Sequence, residues 1–381
     1  MKQLLVNCRV FDGERVHKNR SVVLHGRHIA EIATAGTPCP DADREIDLDG
    51  NLLAPGLIDL QVNGGGGVLF NDAPNPDTIR TIVAAHRRTG TTGLLPTLIS
   101  DEASVTDAAV TAVESAIAED MAGVLGLHLE GPHLNPGRHG IHDESRFRPL
   151  DDKALQILEG AQVGRLLVTV APETLRDGQI RRLTDNGVLV FGGHSMATYE
   201  QTLEALDEGL CGFTHLFNAM TPLKSREPGM VGAALDDSDS VVTIIADGIH
   251  VHAASLRLAI RAKPKAKAIL VTDAMPCVGS TLESFELFGQ RINVRSGRCV
   301  DEHGTLAGAN IGMIDAVRYA SVDGGVDRYE ALRMASAYPA RLLGLHDQLG
   351  AIRPGYRASL IEIDDDLRVV RNWIDGDMMD C

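Results

Sequence analysis

The sequence predicts a (β/α)8 barrel carrying a small β-sandwich domain. Eight short apolar runs alternate with amphipathic helical patterns through the middle of the chain. Four of these runs end in a side chain that binds metals or exchanges protons, and the carboxyl ends of barrel strands meet at one site. Both ends of the chain show the two-residue alternation of half-buried strands. A length of 381 residues suits a barrel plus a second, smaller domain.

Composition excludes several classes of function. Apolar residues make up 44% and charged residues 23% of the chain, which is ordinary for a soluble globular enzyme. A net charge of −16 without a lysine or arginine cluster argues against a nucleic-acid or anionic-membrane partner. Apolar runs stay below the ~18 residues of a membrane span. The start of the chain lacks a signal-peptide pattern and the six cysteines form no C-x-x-C pair, so we expect free thiols and a cytoplasmic location.

The β domain is expected to combine both ends of the chain. Neither end alone holds enough strands to enclose a core. We therefore expect residues 1–53 and 346–381 to form one β-sandwich, with a catalytic barrel over 54–345 inserted between them.

The barrel elements follow in order. The apolar runs that we predict as strands are Leu57–Val62, Gly93–Leu98, Gly123–Leu129, Arg165–Val170, Gly187–Phe191, Gly212–Leu216, Val241–Ala246 and Ala268–Thr272. The segments with apolar residues at three- and four-residue spacing, predicted as helices, are Asp77–Thr89, Ser104–Asp120, Leu175–Asn186, Thr198–Glu208, Ala253–Ala262, Ile311–Asp323 and Asp327–Leu343.

Glu130 is the first candidate metal ligand. It ends an apolar strand, and a strand buried on both faces should not close on an unpaired carboxylate. His194 and His215 end two further runs, so one carboxylate and two imidazoles leave a fourth position for water, as in catalytic zinc sites. Water bound there would lose its proton near neutral pH and become the nucleophile. Asp273 ends another run and is either a further ligand or the base that takes this proton.

Arg226 is a candidate for binding an anion, because its planar guanidinium suits phosphate oxygens. The alternative is a solvated loop arginine paired with Glu227. His250 follows a strand and could add a second donor. Asn218 and Ala219 follow the His215 strand, where side-chain and backbone amides can reach an anion near the metal.

Several motifs carry a family resemblance. They are Ala54–Gly65, Leu127–Asn135, Gly140–His142, Gly193–Thr198, Thr214–Met220, Arg226–Gly229, Ala246–Val251, Val271–Ala274, Gly304–Gly308 and Tyr338–Arg341. Through them the chain resembles the N-acetylglucosamine-6-phosphate deacetylase family of the amidohydrolase superfamily, collinearly over nearly its whole length. The most specific are His-Leu-Phe-Asn-Ala-Met from His215 and Arg-Glu-Pro-Gly from Arg226.

The resemblance implies hydrolysis of the acetamide of N-acetylglucosamine 6-phosphate to acetate and glucosamine 6-phosphate. Glu130, His194 and His215 would hold the metal. Asp273 would act as general base and then protonate the departing amine, while His142 would polarise the acetamide carbonyl with the metal. Polarisation of the carbonyl and protonation of the nitrogen are both needed, because an amide is a poor electrophile and an amine a poor leaving group.

The resemblance also assigns substrate-binding residues. Asn218, Ala219, Arg226 and His250 would bind the sugar phosphate, and Arg226 would come from the neighbouring subunit of a homodimer. The Gly304–Gly308 segment closes near the sugar in the family, which places Ile311 and its neighbours at that pocket.

Gln61-Val62-Asn63 is a departure from the superfamily, many of whose members have His-x-His at this position and bind a second metal. An amide is a poorer ligand than imidazole for zinc-like ions. We therefore expect one metal per subunit and a role for Gln61 in orienting water or substrate. Zinc is expected first, with iron, cobalt and manganese as alternatives.

Two other functions remain open. One is a different hydrolase of the superfamily acting on a substrate without phosphate: a deaminase, a cyclic amidase or a dipeptidase. The other is a non-catalytic barrel kept for metal binding or interaction.

Overall fold

The structure is a computed structural model that describes residues 1–34, 36–37 and 41–381; Cys39 lies outside the described residues. Its strands are β1 (Lys2–Phe11), β2 (Val16–His25), β3 (His28–Thr34), β4 (Arg44–Asp47), β5 (Leu52–Pro55), β6 (Leu57–Val62), β7 (Gly64–Gly65), β8 (Val68–Leu69), β9 (Thr91–Ile99), β10 (Gly126–Glu130), β11 (Arg165–Val170), β12 (Leu189–Gly192), β13 (Gly212–Phe213), β14 (Val241–Ile245), β15 (Ala268–Val271), β16 (Ser284–Leu287), β17 (Gln290–Arg295), β18 (Arg298–Val300), β19 (Leu306–Ala309), β20 (Leu360–Ile363), β21 (Val369–Ile374) and β22 (Asp377–Asp380).

The helices are α1 (Pro76–Arg87), α2 (Ala103–Ala118), α3 (Asp152–Gly160), α4 (Gln179–Asp185), α5 (Tyr199–Asp207), α6 (Gly229–Asp236), α7 (Ala253–Ala262), α8 (Met313–Val322), α9 (Arg328–Met334) and α10 (Ala337–Leu342). Four of the predicted helices are present with shifts of a few residues at their ends, and a fifth, Ala253–Ala262, has the predicted bounds. The helix predicted from Leu175 begins at Gln179 instead, as α4. The last predicted helix, Asp327–Leu343, is divided into α9 and α10. Helices α3 and α6 were not predicted. No helix in the described part of the chain combines the length and apolar character needed to cross a membrane.

The eight predicted barrel strands are all present and parallel. Their order is β6, β9, β10, β11, β12, β13, β14 and β15. The ring closes between β15 and β6, where the Asp273 N–H donates to the Gln61 carbonyl at 3.0 Å and Val62 bridges to Ala274. These strands are buried on both faces, and their mainly apolar side chains pack inside the barrel and beneath the helices.

The small domain takes strands from both ends of the chain, as predicted. The sheet order is β22-β21-β20-β5-β1-β2-β3, with β4 also paired to β1, so the sheet branches at β1 and forms a small sandwich. It encloses its own core, which includes Leu5, Val22, Leu360 and Trp373. β20 pairs antiparallel with β5, so strands from before and after the barrel are neighbours. The exact domain boundaries, 1–53 with 346–381 and 54–345, stay a prediction.

A four-stranded antiparallel sheet, β16–β19, was not predicted. It follows β15 and is called the flap below. Two of its turns have positive φ at both central residues, Phe288 with Gly289 and Ser296 with Gly297. This conformation matches the twist of a hairpin and requires residues that tolerate the left-handed region. The glycine in each pair was the signal that could have revealed the flap.

Candidate active site

The site lies in a cavity of about 340 Å³ at the carboxyl ends of the barrel strands. Eight of the predicted site residues line it: Glu130, His142, His194, His215, Asn218, Ala219, His250 and Asp273. Three of these residues have a strained backbone conformation. His194, His215 and Asp273 have φ of 48°, 35° and 54°, a conformation that costs non-glycine residues about 1 kcal/mol or more each. Such strain persists where the surrounding structure fixes a functional geometry.

Three atoms converge at the centre of the cavity. Glu130 Oε1 lies 3.0 Å from His194 Nε2 and 2.8 Å from His215 Nε2, and the two Nε2 atoms are 3.0 Å apart. All three residues are buried. Burial alone would raise the pKa of Glu130, but the contacts with His194 and His215 hold it well below its usual value, so this ligand is anionic.

The donor set fits a divalent metal ion. His194 Nδ1 lies 2.9 Å from the Arg138 carbonyl, and only an N–H can satisfy that contact. The neutral ring therefore carries its lone pair on Nε2, facing the other two ligands. Within the described chain, the buried atoms His215 Nδ1, Gln61 Oε1 and Asn63 Oδ1 have no hydrogen-bond partner. One carboxylate and two imidazoles are the ligands that zinc and similar ions take in catalytic sites.

Two amide side chains hold Asp273 beside the ligands. Asp273 Oδ1 accepts hydrogen bonds from Asn63 Nδ2 at 2.7 Å and Gln61 Nε2 at 3.1 Å. Gln61 Nε2 also donates to Glu130 Oε2 at 3.1 Å, so one amide connects Asp273 to a metal ligand. Burial, followed by the Glu130 charge, raises the pKa of Asp273 to about 6. That is a suitable value for a group that accepts and returns a proton near neutral pH.

His142 faces the ligands from the loop after β10. Its Nδ1 accepts from the Ser100 backbone N–H at 3.4 Å and lies 2.9 Å from the Ser100 hydroxyl. This network assigns the proton to Nε2. Nε2 is the atom nearer the site, 3.9 Å from Glu130 Oε2. Burial lowers the pKa of His142 to about 3, so the ring is a neutral hydrogen-bond donor.

His250 also lines the cavity and is held in place by Asp247. Its Nδ1 lies 2.6 Å from Asp247 Oδ2, while Asp247 Oδ1 accepts the His250 backbone N–H at 2.8 Å. The His250 side chain is only 6% exposed. Asn218 is less free than the sequence suggested, because its Nδ2 donates to the His215 carbonyl at 3.1 Å.

The structure places three predicted residues outside the cavity lining. Gln61 lies behind it, in contact with Glu130 and Asp273. Ile311 packs against the main core of the barrel rather than facing the cavity. Arg226 is exposed on the loop before α6. The cavity is also lined by Asn63, Ile99, Ile141 and Met275, to which the sequence assigned no role at the site. The flap contributes Gly304, Thr305, Leu306 and Gly308, from the segment that the resemblance places near the sugar.

A larger cavity of about 680 Å³ lies between the small domain and α10. Two of its cationic side chains are already paired: Arg353 with Glu14 at 2.8 Å and Arg333 with Glu330 at 2.8 Å. Convergent ligands and a carboxyl of raised pKa occur in the smaller cavity, and these features mark that one as the active-site candidate.

Comparison with known proteins agrees with this geometry. The model of the amidohydrolase family matches residues 52–379. The N-acetylgalactosamine-6-phosphate deacetylase of Shewanella sp. strain ANA-3 is 42% identical over 333 residues, covering 87% of this chain and 84% of the relative. The N-acetylglucosamine-6-phosphate deacetylase of Pasteurella multocida superimposes with a TM-score of 0.96 at 33% identity, covering 100% of both chains. An aspartate-to-alanine mutant of the Mycobacterium smegmatis N-acetyl-D-glucosamine-6-phosphate deacetylase, in complex with N-acetyl-D-glucosamine 6-phosphate, has a TM-score of 0.90 at 32% identity, covering 99% of both chains.

Proposed function

The chain belongs to the amidohydrolase family, and from that premise we propose that it removes the acetyl group of N-acetylglucosamine 6-phosphate, giving glucosamine 6-phosphate and acetate. The observation that carries the proposal is the convergence of Glu130, His194 and His215 beside Asp273. Relatives that share the fold over the full chain are named for this reaction, and one of them is described with this substrate bound.

Glu130, His194 and His215 would hold one divalent ion, with zinc expected first. When bound, such an ion activates a water molecule and polarises a carbonyl. Gln61 and Asn63 support the expectation of a single ion. They stand where many members of the superfamily have the two histidines that bind a second metal, and both are neutral amides already hydrogen-bonded to Asp273. Metal analysis of the loaded protein should find one equivalent per chain, and two tightly bound equivalents would overturn this.

Asp273 would accept the proton of the attacking water and then deliver it to the departing amine nitrogen. The two amide donors orient its carboxylate by bonding one oxygen, which leaves the other for the proton. His142 would donate its Nε2–H to the acetamide oxygen as negative charge develops there. Its neutral state suits this role, because a neutral ring donates without bringing a like charge beside the metal ligands.

Substrate phosphate would be bound at the cavity mouth. His250, Asn218 and the Ala219 backbone line the cavity of this chain. Arg226 lies outside it, which supports the expectation that this residue serves the site of a second subunit. Leu223, in the same loop, is 58% exposed, and Met196 nearby is 44% exposed. Exposed apolar side chains beside an exposed arginine suit a surface that pairs with another copy of the chain.

Subunit complementation tests this assignment. His215→Ala should abolish metal binding and Arg226→Ala should weaken phosphate binding, so each variant alone has little activity. If Arg226 serves the neighbouring site, co-refolded mixtures regain about a quarter of the wild-type activity, since half of randomly paired dimers are mixed and each has one intact site. No recovery, or a monomer in sedimentation, would refute the shared site.

The galactosamine epimer is a second candidate substrate, favoured by the Shewanella relative at 42% identity. Acetate release should therefore be measured with zinc-loaded protein on the 6-phosphates of both N-acetylated sugars and on free N-acetylglucosamine. Turnover of a 6-phosphate with little turnover of the free sugar supports the proposal, and the faster epimer identifies the substrate. Equal rates on phosphorylated and free sugar would remove the phosphate site. No release from any of them, with metal bound, would favour another amidohydrolase reaction.

A further inference from the structure

The flap is tied to the segment that carries Asp273. Strand β19 continues the hydrogen bonding of that segment, because the Ala309 N–H donates to the Asp273 carbonyl at 2.9 Å and the Met275 N–H to the Ala309 carbonyl at 3.1 Å. Gly304, Thr305 and Leu306 of the flap line the active-site cavity. The position of the flap therefore decides how the cavity opens to solvent.

Two thiols meet where the flap rests on the barrel. Cys277 lies four residues after Asp273, and Cys299 is in β18 of the flap. Their Sγ atoms are 3.4 Å apart, and both side chains are buried in the small core between flap and barrel rim. The other described cysteines have different neighbours: Cys8 and Cys211 contact backbone carbonyls, and Cys381 contacts the Asn372 amide.

We propose that Cys277 and Cys299 are a reversible oxidation site, at which a small peroxide joins them in a disulfide that fastens the flap over the active-site cavity. The two sulfurs already lie in contact, so forming the bond requires closing a short gap between them. A disulfide here links two segments that otherwise depend on a few backbone hydrogen bonds and a small apolar core.

The chemistry balances with hydrogen peroxide as oxidant. One thiolate attacks a peroxide oxygen and becomes a sulfenic acid, and the released hydroxide takes a proton to form water. The second thiol then attacks the sulfenic sulfur, the S–S bond forms, and the sulfenic oxygen leaves as a second water. The contact with the Cys299 thiol lowers the pKa of the Cys277 thiol, which favours Cys277 as the attacking group.

Burial makes the reaction depend on flap motion. Cys277 is 3% exposed and Cys299 is fully buried, so peroxide reaches them when the flap lifts. Once formed, the disulfide holds the flap down and hinders both substrate entry and product release. A dithiol reductant restores the two thiols and the mobile flap.

The first test follows the bond itself and needs no substrate. Zinc-loaded protein is treated with hydrogen peroxide, its free thiols are alkylated, and peptides are mapped without reduction. We expect a Cys277–Cys299 linked peptide and slower hydrogen exchange over residues 284–309, both reversed by dithiothreitol. Cys211→Ser should behave as wild type, and Cys299→Ser should form no link. Recovery of both thiols alkylated, or oxidised singly, in folded wild-type protein would overturn the proposal.

The second test measures turnover and rests on the proposed function. The kcat of the oxidised wild type should fall by about tenfold or more, because opening of the linked flap then limits product release. Dithiothreitol should restore the kcat. Cys299→Ser should keep its activity under the same treatment. Equal loss in that variant, or full activity in linked protein, would overturn the effect on the site. If the protein deacetylates no sugar phosphate, the peptide map and hydrogen exchange still decide whether the linked flap exists.

Discussion

Replacing Asn63 with leucine tests whether the amide side chains at the end of β6 set the protonation of Asp273. Leucine has nearly the shape of asparagine but donates no hydrogen bond. In the wild type, Asn63 Nδ2 lies 2.7 Å from Asp273 Oδ1 and favours the carboxylate over the protonated form. Gln61 keeps its own hydrogen bond to the same oxygen, so the variant isolates one of two donors.

The expected magnitude follows from the charge on the acceptor. A hydrogen bond to a charged group is worth about 1.5–3 kcal/mol, which corresponds to a rise of about 1–2 units in the pKa of Asp273. Because the ionised form of Asp273 is the base, the variant should lose activity at pH values below the raised pKa of Asp273. At the wild-type midpoint near pH 6, the variant should be slower by about tenfold, and the two enzymes should converge near pH 9.

The assay is kcat/KM for acetate release between pH 5 and 9, with metal content measured at each pH. Asn71→Leu is the matched control. Asn71 is also buried and donates at 3.0 Å to Asp101, away from Asp273. It should lose stability without moving the acid limb. A uniform loss of activity across pH in Asn63→Leu, or an unmoved acid limb, would refute the assignment.

Three further predictions concern stability. Burial lowers the pKa of His86 to about 4, so the unfolded chain binds the proton first and stability falls as pH drops from about 6.5 to 4; between pH 7 and 5 the wild type should lose about 2 kcal/mol more than His86→Gln in denaturant titrations, and equal losses would contradict this. Gly126→Ala places a Cβ 1.9 Å from the Arg165 carbonyl oxygen and should cost about 2–3 kcal/mol, whereas Gly160→Ala meets nothing within 4 Å and should change stability by less than about 0.5 kcal/mol. Zinc a hundredfold above its Kd should stabilise the protein by about 2.7 kcal/mol, visible as a fall in Tm on chelation, and His215→Ala should show no such fall.

The barrel and the centre of its site could be predicted because four of its strands carried two signals. An apolar run marked burial on both faces, and a polar residue at its end marked the site edge. Glu130, His194, His215 and Asp273 were found in this way. The family resemblance added His142, which lies in a loop without periodic pattern.

The remaining features depend on contacts that the sequence does not display. The predicted helix over Asp327–Leu343 divides at Ser336 because Pro339 lacks an N–H and is tolerated only in the first turn of α10. Helix α6 begins with Gly229 and contains Gly232, so it shows no polar face to mark it. The role of Asn63 could not be derived from spacing, because its hydrogen bond to Asp273 crosses the seam where the barrel closes.

The pairing of β5 with β20 also constrains how the chain is made. Pro55 and Leu360 are neighbours in the sheet, yet the entire barrel is translated between them. At ~5–20 residues per second, the edge of β5 stays open for roughly 15–60 s while about 300 residues emerge from the ribosome. An open edge is a template for pairing with other chains. A nascent chain whose translation stalls within the barrel thus keeps an unpaired edge on β5 that can pair with another chain. Translation of β20–β22 supplies the strand that covers this edge.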